Sequence, residues 1–336
     1  MKSIVLSPLS LLYGAVTRTR LSLYRRGTFV TTKLRRPVIS VGNITTGGTG
    51  KTPLVEWVAK TLAGQGKRPC ILTRGYGRKD PHVQVIVSDG YGVLASPMEA
   101  GDEPYLLAVN LSGIAAVISS ADRIAAGQEA INDFGSDCFV LDDGFQHLRL
   151  ARDLNIVTID ATNPWGGGSL LPYGRLRESR EGLSRADCVV ITRCDQVRSL
   201  DALRSEIVKY TGNRPIFHSH MRTSRVSSLK NGPGALSSPA RLAAFCAIGN
   251  PSAFFEHLRR SGYELVLQKS FPDHHIFSQE EIDSLIESAK TAGANSLITT
   301  AKDAVKLRTL SFPIPCYVLE IEIAIENADE LARMLP

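Results

Sequence analysis

The sequence has no Cys-x-x-Cys pair. Its six cysteines (Cys70, Cys138, Cys188, Cys194, Cys246, Cys316) lie mostly in apolar runs such as "DCFVL" and "DCVVIT". A zinc or thioredoxin-type site is therefore a poor reading, and reduced core thiols of a cytosolic protein are expected. Acid is missing from residues 1–36, which hold eight of the 39 Lys and Arg and leave 31 to face all 33 Asp and Glu. The formal charge of +6 thus belongs to one end, and a general nucleic-acid surface is not indicated. Also absent is a long apolar run. Residues 4–16 fall short of the about 20 needed to cross a bilayer, and their positive charge follows rather than precedes them, against a secretory leader. Internal repeats and low-complexity segments are lacking. What remains is 336 residues, 43% hydrophobic and 21% charged, a composition typical of soluble proteins and a length that favours two domains.

The basic end reads "SPLSLLYGAVTRTRLSLYRR". Ser7 can cap a helix, and Pro8 suits its first position. At 100° per residue Leu9, Leu12, Tyr13, Ala15, Val16, Leu23 and Tyr24 share one broad face, with Ser10, Gly14, Thr17 and Arg18 opposite. Two readings stay open: an amphipathic helix lying among anionic headgroups, or a helix packed on its own domain with a solvated basic end.

Beyond the arm, short β-branched runs alternate with helical patterns. Strands are expected at 38–41, 70–73, 115–119, 138–141, 156–159 and 188–192, and helices at 53–63, 103–110, 122–134 and 200–210. This is the pattern of a mostly parallel α/β sheet sandwiched by helices. "DPHVQVIVSDG" reads as an inserted strand or hairpin. A stretch rich in Gly, Pro and Ser at 228–241 reads as a linker. After it the alternation restarts as a smaller α/β unit. The expected divisions are an arm at 1–36, a nucleotide domain at 37–227, the linker, and a C-terminal domain at 242–336.

"ISVGNITTGGTGKTPLVEW" is strand, glycine-rich turn and helix in order. Backbone N–H groups of Thr45, Thr46, Gly47, Gly48, Thr49 and Gly50 and the helix dipole favour an anion. Lys51 adds a charge for the β- and γ-phosphates, and the Thr52 hydroxyl can ligate Mg²⁺. Thr45 occupies the first glycine position of the usual phosphate-binding loop. In "CFVLDDGFQH" an apolar strand ends on Asp142 and Asp143, carboxylates suited to Mg²⁺. Weaker constellations are Asp102 and Glu103 at a helix start, Asp273, His274 and His275 after a strand, Arg175, Arg177 and Glu178 in a loop, and Arg74 and Arg78 near the sheet's switch point. Arg74, Arg123 and Arg177 are the candidate phosphate or substrate contacts.

The segments "VGNITTGGTGKTP", "LTRGYGR", "GDEP", "DDGFQH", "LLPYGRLRE", "FPDHH" and "TAKDAVKL" together resemble the tetraacyldisaccharide 4'-kinase family. The resemblance implies a P-loop NTPase-like kinase domain, a smaller domain closing over its site, and an N-terminal amphipathic helix on the cytoplasmic face of the bacterial inner membrane. It implies transfer of the ATP γ-phosphate to the 4'-hydroxyl of an acylated disaccharide 1-phosphate lipid, with Mg²⁺ held among Thr52, Asp142, Asp143 and Glu178. Asp102 would be the base on the sugar hydroxyl, paired with His274. The expected working unit is a monomer. "TAKD" carries Ala301 where the resemblance leads one to expect an acid, so no role is assigned to that turn. The alternatives are a regulatory GTPase, against which "TAKD" has the wrong spacing for a guanine-binding N-K-x-D turn, and a non-catalytic ATP-binding membrane adaptor, which leaves Asp102 and His274 without a task.

Overall fold

The computed structural model describes residues 2–76, 78–230 and 241–336, with residues 2–7 by backbone alone. Most of the linker read at 228–241, and Gly77 of "LTRGYGR", lie outside the described residues. The chain runs α1 (Lys2–Arg25), β1 (Val38–Gly42), α2 (Lys51–Gly64), β2 (Pro69–Thr73), β3 (Val85–Ser88), α3 (Pro97–Ala100), α4 (Asp102–Asn110), β4 (Ala116–Ser119), α5 (Arg123–Asp133), β5 (Cys138–Asp142), β6 (Leu154–Asp160), β7 (Cys188–Thr192) and α6 (Asp201–Thr211). It continues through β8 (Ile216–Ser228), β9 (Arg241–Cys246), α7 (Pro251–Arg260), β10 (Glu264–Ser270), α8 (Gln279–Thr291), β11 (Ser296–Thr300), α9 (Ala301–Leu307), β12 (Cys316–Ile325) and α10 (Ala328–Met334).

The described strands form one sheet in the order β10-β9-β11-β12-β8-β7-β6-β1-β5-β2-β4-β3. Neighbours are parallel except β12 with β8 and β4 with β3. Strands β1, β2, β4, β5 and β7 are buried along their whole length, as uninterrupted Val, Ile and Leu runs require when helices cover both faces. The strand or hairpin expected within 80–90 is β3, which closes one edge antiparallel to β4. β8 was not expected. Its first residues pair with β7 and the rest pairs antiparallel with β12, so one long ribbon joins the two units. After β12 the chain returns to the first unit: Ile323, Leu331 and Leu335 share a core with Leu54, Val58 and Leu62 of α2. The thiols behave as core residues; Cys70, Cys138, Cys188, Cys246 and Cys316 are buried and unbridged, and burial pushes the Cys188 thiol up to about 12.

Helix α1 differs from expectation at its start. It continues back to Lys2 with Pro8 inside it, because nothing in residues 4–6 breaks a helix. Its docking face is the polar one. Ser10 and Gly14 are buried, while Leu11 (70%), Leu12 (62%) and Val16 (58%) are exposed. Ser10 Oγ donates to Leu170 O at 3.0 Å and accepts from Tyr173 N at 3.0 Å, and Tyr13 OH donates to Arg177 O at 2.9 Å. A Cβ on Gly14 would come within 2.7 Å of Leu170 Cδ1, so the small residue permits the close approach. Packing on the body therefore leaves Leu11, Leu12 and Val16 uncovered. No described helix is long and apolar enough to cross a membrane.

Candidate active site

The glycine-rich loop leaves β1 between its neighbours β5 and β6, the point at which a parallel sheet opens a crevice beyond its strand ends. Register places Val41 beside Asp142 and Leu72 beside Leu141. The β5 carboxylate therefore stands next to the loop and to Thr73, which donates to Asp142 Oδ2 at 3.1 Å.

A buried hydroxyl network sets the loop's shape. Asn43 Nδ2 donates to Thr49 Oγ1 at 2.8 Å, Thr49 Oγ1 lies 2.8 Å from Thr158 Oγ1, and Thr192 Oγ1 donates to Thr49 O at 3.0 Å. Gly50 enters α2 with φ 79°, a conformation that glycine adopts without steric cost. The "LLPYGRLRE" segment braces the other side: Thr46 N donates to Arg175 O at 2.7 Å and Arg177 N to Ile44 O at 2.8 Å. This is the same segment on which α1 rests.

Lys51 Nζ lies 3.3 Å from Asp143 Oδ1, and Arg177 Nη1 donates to Asp143 Oδ2 at 2.6 Å. Burial pushes Asp143 up, but Lys51 and Arg177 overcome it and hold the carboxyl below its ordinary value. Asp142 has no such company. Burial first, then Glu103 and Asp143, push it up to about 7, with Lys51 and Thr73 opposing. A buried carboxylate short of positive charge, lining one cavity with the glycine-rich loop and Thr52, offers oxygen donors suited to a divalent cation.

Glu178 does not join that set. Arg185 donates to both its oxygens at 2.8 and 2.9 Å, and Gln146 Nε2 donates to Oε1 at 2.8 Å. Among the described residues no three His, Cys, Asp or Glu gather closely enough to hold a metal. Glu178 is instead the fixed centre of the loop around Arg177. Arg74 and Arg177 line the cavity, whereas Arg123 is buried behind them and donates to Ala121 O at 3.3 Å. Arg78 faces away, donating to Ser119 O at 2.8 Å.

The second unit closes the cavity. A space of about 400 Å³ is lined by the loop from Thr46 to Pro53, by Asp142, Asp143 and Arg177, and by Gly249, Asn250, Asp273, His274 and Lys302 from beyond β9. His274 Nδ1 lies 3.4 Å from Asp102 Oδ2. Burial raises the Asp102 carboxyl, but His274 and Lys306 outweigh it and leave it below the ordinary value. A larger space of about 500 Å³ opens past Thr52 and Pro53 between Leu106, Met221, Phe254 and Ile321. A third, of about 330 Å³, lies under α1 and shares Thr46, Arg74, Tyr76 and Arg177 with the first.

Sequence reasoning missed four participants. Arg193, after β7, pairs with Asp160 and donates to Gly48 O at 2.8 Å. Lys302 and Lys306 reach across from α9. Gly249 sits against the glycine-rich loop: a Cβ there would come within 3.0 Å of Gly48 N and 3.3 Å of Gly47 Cα, so the loop backbone would have to shift to admit a side chain. Gly249→Val is therefore expected to hold the two units apart and lower turnover roughly tenfold. Steady-state kinetics beside a thermal melt that stays near wild type would check it.

A family model described as Tetraacyldisaccharide-1-P 4'-kinase matches residues 2–336. A tetraacyldisaccharide 4'-kinase of Geobacter metallireducens is 44% identical over 313 residues, 90% of this chain and 88% of that protein. One of Desulfotalea psychrophila is 39% identical over 312 residues, 92% and 89%. The crystal structure of LpxK from Aquifex aeolicus in complex with ATP superposes with a TM-score of 0.78 at 33% identity, covering 99% of this chain and 98% of that one.

Proposed function

The chain belongs to the tetraacyldisaccharide-1-P 4'-kinase family, and from that premise we propose how its residues divide the work. The reaction is ATP-dependent phosphorylation of a tetraacyldisaccharide 1-phosphate at its 4'-hydroxyl, a step of lipid A biosynthesis. The oxygen of that hydroxyl attacks the γ-phosphorus, the bond from the γ-phosphorus to the β-bridging oxygen breaks, and ADP leaves. The proton passes to Asp102.

The carrying observation is that the loop cavity and the Asp102–His274 contact of 3.4 Å come from units on either side of one cleft. A sugar hydroxyl is a weak nucleophile, and a positioned carboxylate that accepts its proton lowers the barrier. Because His274 comes from the second unit, the acid–base pair is complete only in the closed arrangement, which disfavours ATP hydrolysis without acceptor. Lys51, Arg74 and Arg177 face the cavity where negative charge collects during transfer,. Lys51 must exchange Asp143 for phosphate when ATP enters. Thr52, Asp142 and Asp143 would hold Mg²⁺, which supplies further charge against the transferring group. Incubation with ATP and dispersed lipid, followed by mapping of the new phosphate, tests the assignment.

The acceptor reaches this cavity through the space under α1, whose lining includes Arg20, Arg74, Arg177 and Arg185. Helix α1 carries exposed Leu11, Leu12 and Val16 outward and continues into a basic segment with no acid before residue 37. That face suits the anionic cytoplasmic surface of the inner membrane, where the acyl chains stay in lipid while the headgroup rises into the cleft. One chain supplies every group of the site, so we take the monomer as the working unit. Leu12→Asp combined with Val16→Asp is expected to reduce binding to anionic vesicles roughly tenfold or more while leaving the thermal melt unchanged, since neither side chain is covered. Vesicle sedimentation checks it, and undiminished binding would remove α1 from the membrane contact.

A further inference from the structure

The turn "TAKD", left without a role by the sequence, begins α9, and α9 packs on α4 with Lys302 and Lys306 one helical turn apart on the same face. Lys302 Nζ lies 2.9 Å from Glu103 Oε1, 3.2 Å from Asp273 Oδ1 and 3.4 Å from His274 Nε2. Lys306 Nζ lies 3.2 Å from Asp102 Oδ2 and 3.5 Å from Asp303 Oδ1. Its side chain is 9% exposed. Asp303 is fully buried and is itself held by Ala247 N at 3.0 Å and Thr300 Oγ1 at 2.8 Å. The two lysines therefore bracket the Asp102–His274 pair, one on each partner, from the unit that supplies the histidine.

We propose that Lys302 and Lys306 are positioning residues of the acid–base pair: Lys302 fixes the tautomer of His274, and Lys306 fixes the charge and orientation of Asp102. The inference rests on the reading of Asp102 as the base. An ammonium group donates and cannot accept, so His274 Nε2 must accept from Lys302. The ring proton then sits on Nδ1 and is donated to Asp102 Oδ2. His274 thereby orients Asp102 and leaves it the acceptor of the sugar proton. Lys306 forms an ion pair with the same Oδ2, so the hydrogen bond from the histidine and the charge of the lysine fall on one oxygen, and Oδ1 receives neither.

The charges around Asp102 come from each neighbouring element: His274 and Asp273 from the loop after β10, Lys302, Asp303 and Lys306 from α9, and Glu103 from its own helix. Lys302 and Lys306 are the cations among them. Burial would lower Lys302, but Glu103 and Asp273 outweigh it and hold the ammonium above its ordinary value. Removing Lys306 takes away a positive charge that favours ionised Asp102, so the carboxyl's affinity for its proton rises and the acid limb of the rate profile moves to higher pH.

The test compares Lys306→Met, Lys306→Arg and Lys302→Met in the full chain, with Asp102→Asn alongside. Expected for Lys306→Met is a kcat at least about tenfold lower, a KM for ATP within about twofold, and an acid limb at higher pH; Lys306→Arg restores the limb. Expected from ring ¹⁵N shifts is a His274 proton on Nδ1 in the wild type and loss of that preference in Lys302→Met. Should Lys306→Met not fold, Lys306→Gln gives the same profile comparison. A wild-type profile in the Met or Gln variant, or a His274 proton on Nε2 in the wild type, overturns the proposal while an inactive Asp102→Asn leaves the base intact. Full turnover in Asp102→Asn removes the base and this proposal together.

Discussion

Asp102→Asn is expected to lower turnover by roughly two to four orders of magnitude, the range general-base loss produces, with ATP affinity within about threefold of wild type. The amide keeps the shape of the side chain and can still contact His274, but it cannot take a proton from the 4'-hydroxyl. Asp102 touches His274 and Lys306 rather than the phosphate loop, which is why nucleotide binding survives. Kinetics with saturating lipid, beside equilibrium binding of ATP, separates the two quantities. A loss shared equally by binding and turnover would point to collapse of the cleft, and unchanged turnover would remove Asp102 from the chemistry.

The second large effect runs in two directions at once. Asp142→Asn is expected to abolish activity while making the ligand-free protein more stable. The Asp142 carboxyl is pushed up to about 7 in the folded chain, chiefly by burial, against an unfolded value of about 3.9. Between those limits the unfolded chain has released the proton and the folded chain still holds it. The unfolded state then binds fewer protons, so stability falls as pH rises. This penalty is absent below about pH 4 and complete above about pH 7. Asparagine cannot ionise and escapes it, at a gain on the order of a few kcal/mol at neutral pH. Thermal midpoints of the variant and wild type should coincide near pH 4 and separate by roughly 5 °C above pH 7. Adding Mg²⁺ should narrow the gap by stabilising only the wild type. Parallel melts across pH 4–8 decide it; a variant less stable than wild type at pH 8 would show that Asp142 is already neutralised.

Much of this was legible because it is local. The strand–loop–helix of residues 39–57 and the acids ending β5 carry their chemistry in adjacent residues, and their parallel-sheet context followed from buried apolar runs. Asp102 and His274 are 172 residues apart; they entered through resemblance, since a helix-start acid and a paired histidine are ordinary structural features. Glu178 was read without its partners, Arg185 and Gln146, because they become visible only once the loop is folded. β8 escaped because "IFHSHMRTSRVSS" forms a ribbon partly exposed on both faces, which leaves no clean alternation to read. For α1 the period was right, but a hydrophobic pattern does not say which face meets the protein. The body takes Ser10, Tyr13 and Gly14, as hydrogen-bond donors and a close backbone approach require, and the leucines remain outside. Lys302 and Lys306 sit at helical spacing in "KDAVK", yet charges so spaced ordinarily mark a solvated face. Only the packing of α9 on α4 turns them inward.

The most direct test supplies the full chain with Mg²⁺, ATP labelled in its γ-phosphate, and tetraacyldisaccharide 1-phosphate dispersed in anionic vesicles, for wild type and Asp102→Asn together. The expected result is a labelled monoester on the 4'-oxygen of the sugar with wild type and almost none with the variant. Label released only as free phosphate, label at another position, or equal transfer by both proteins would contradict the assignment.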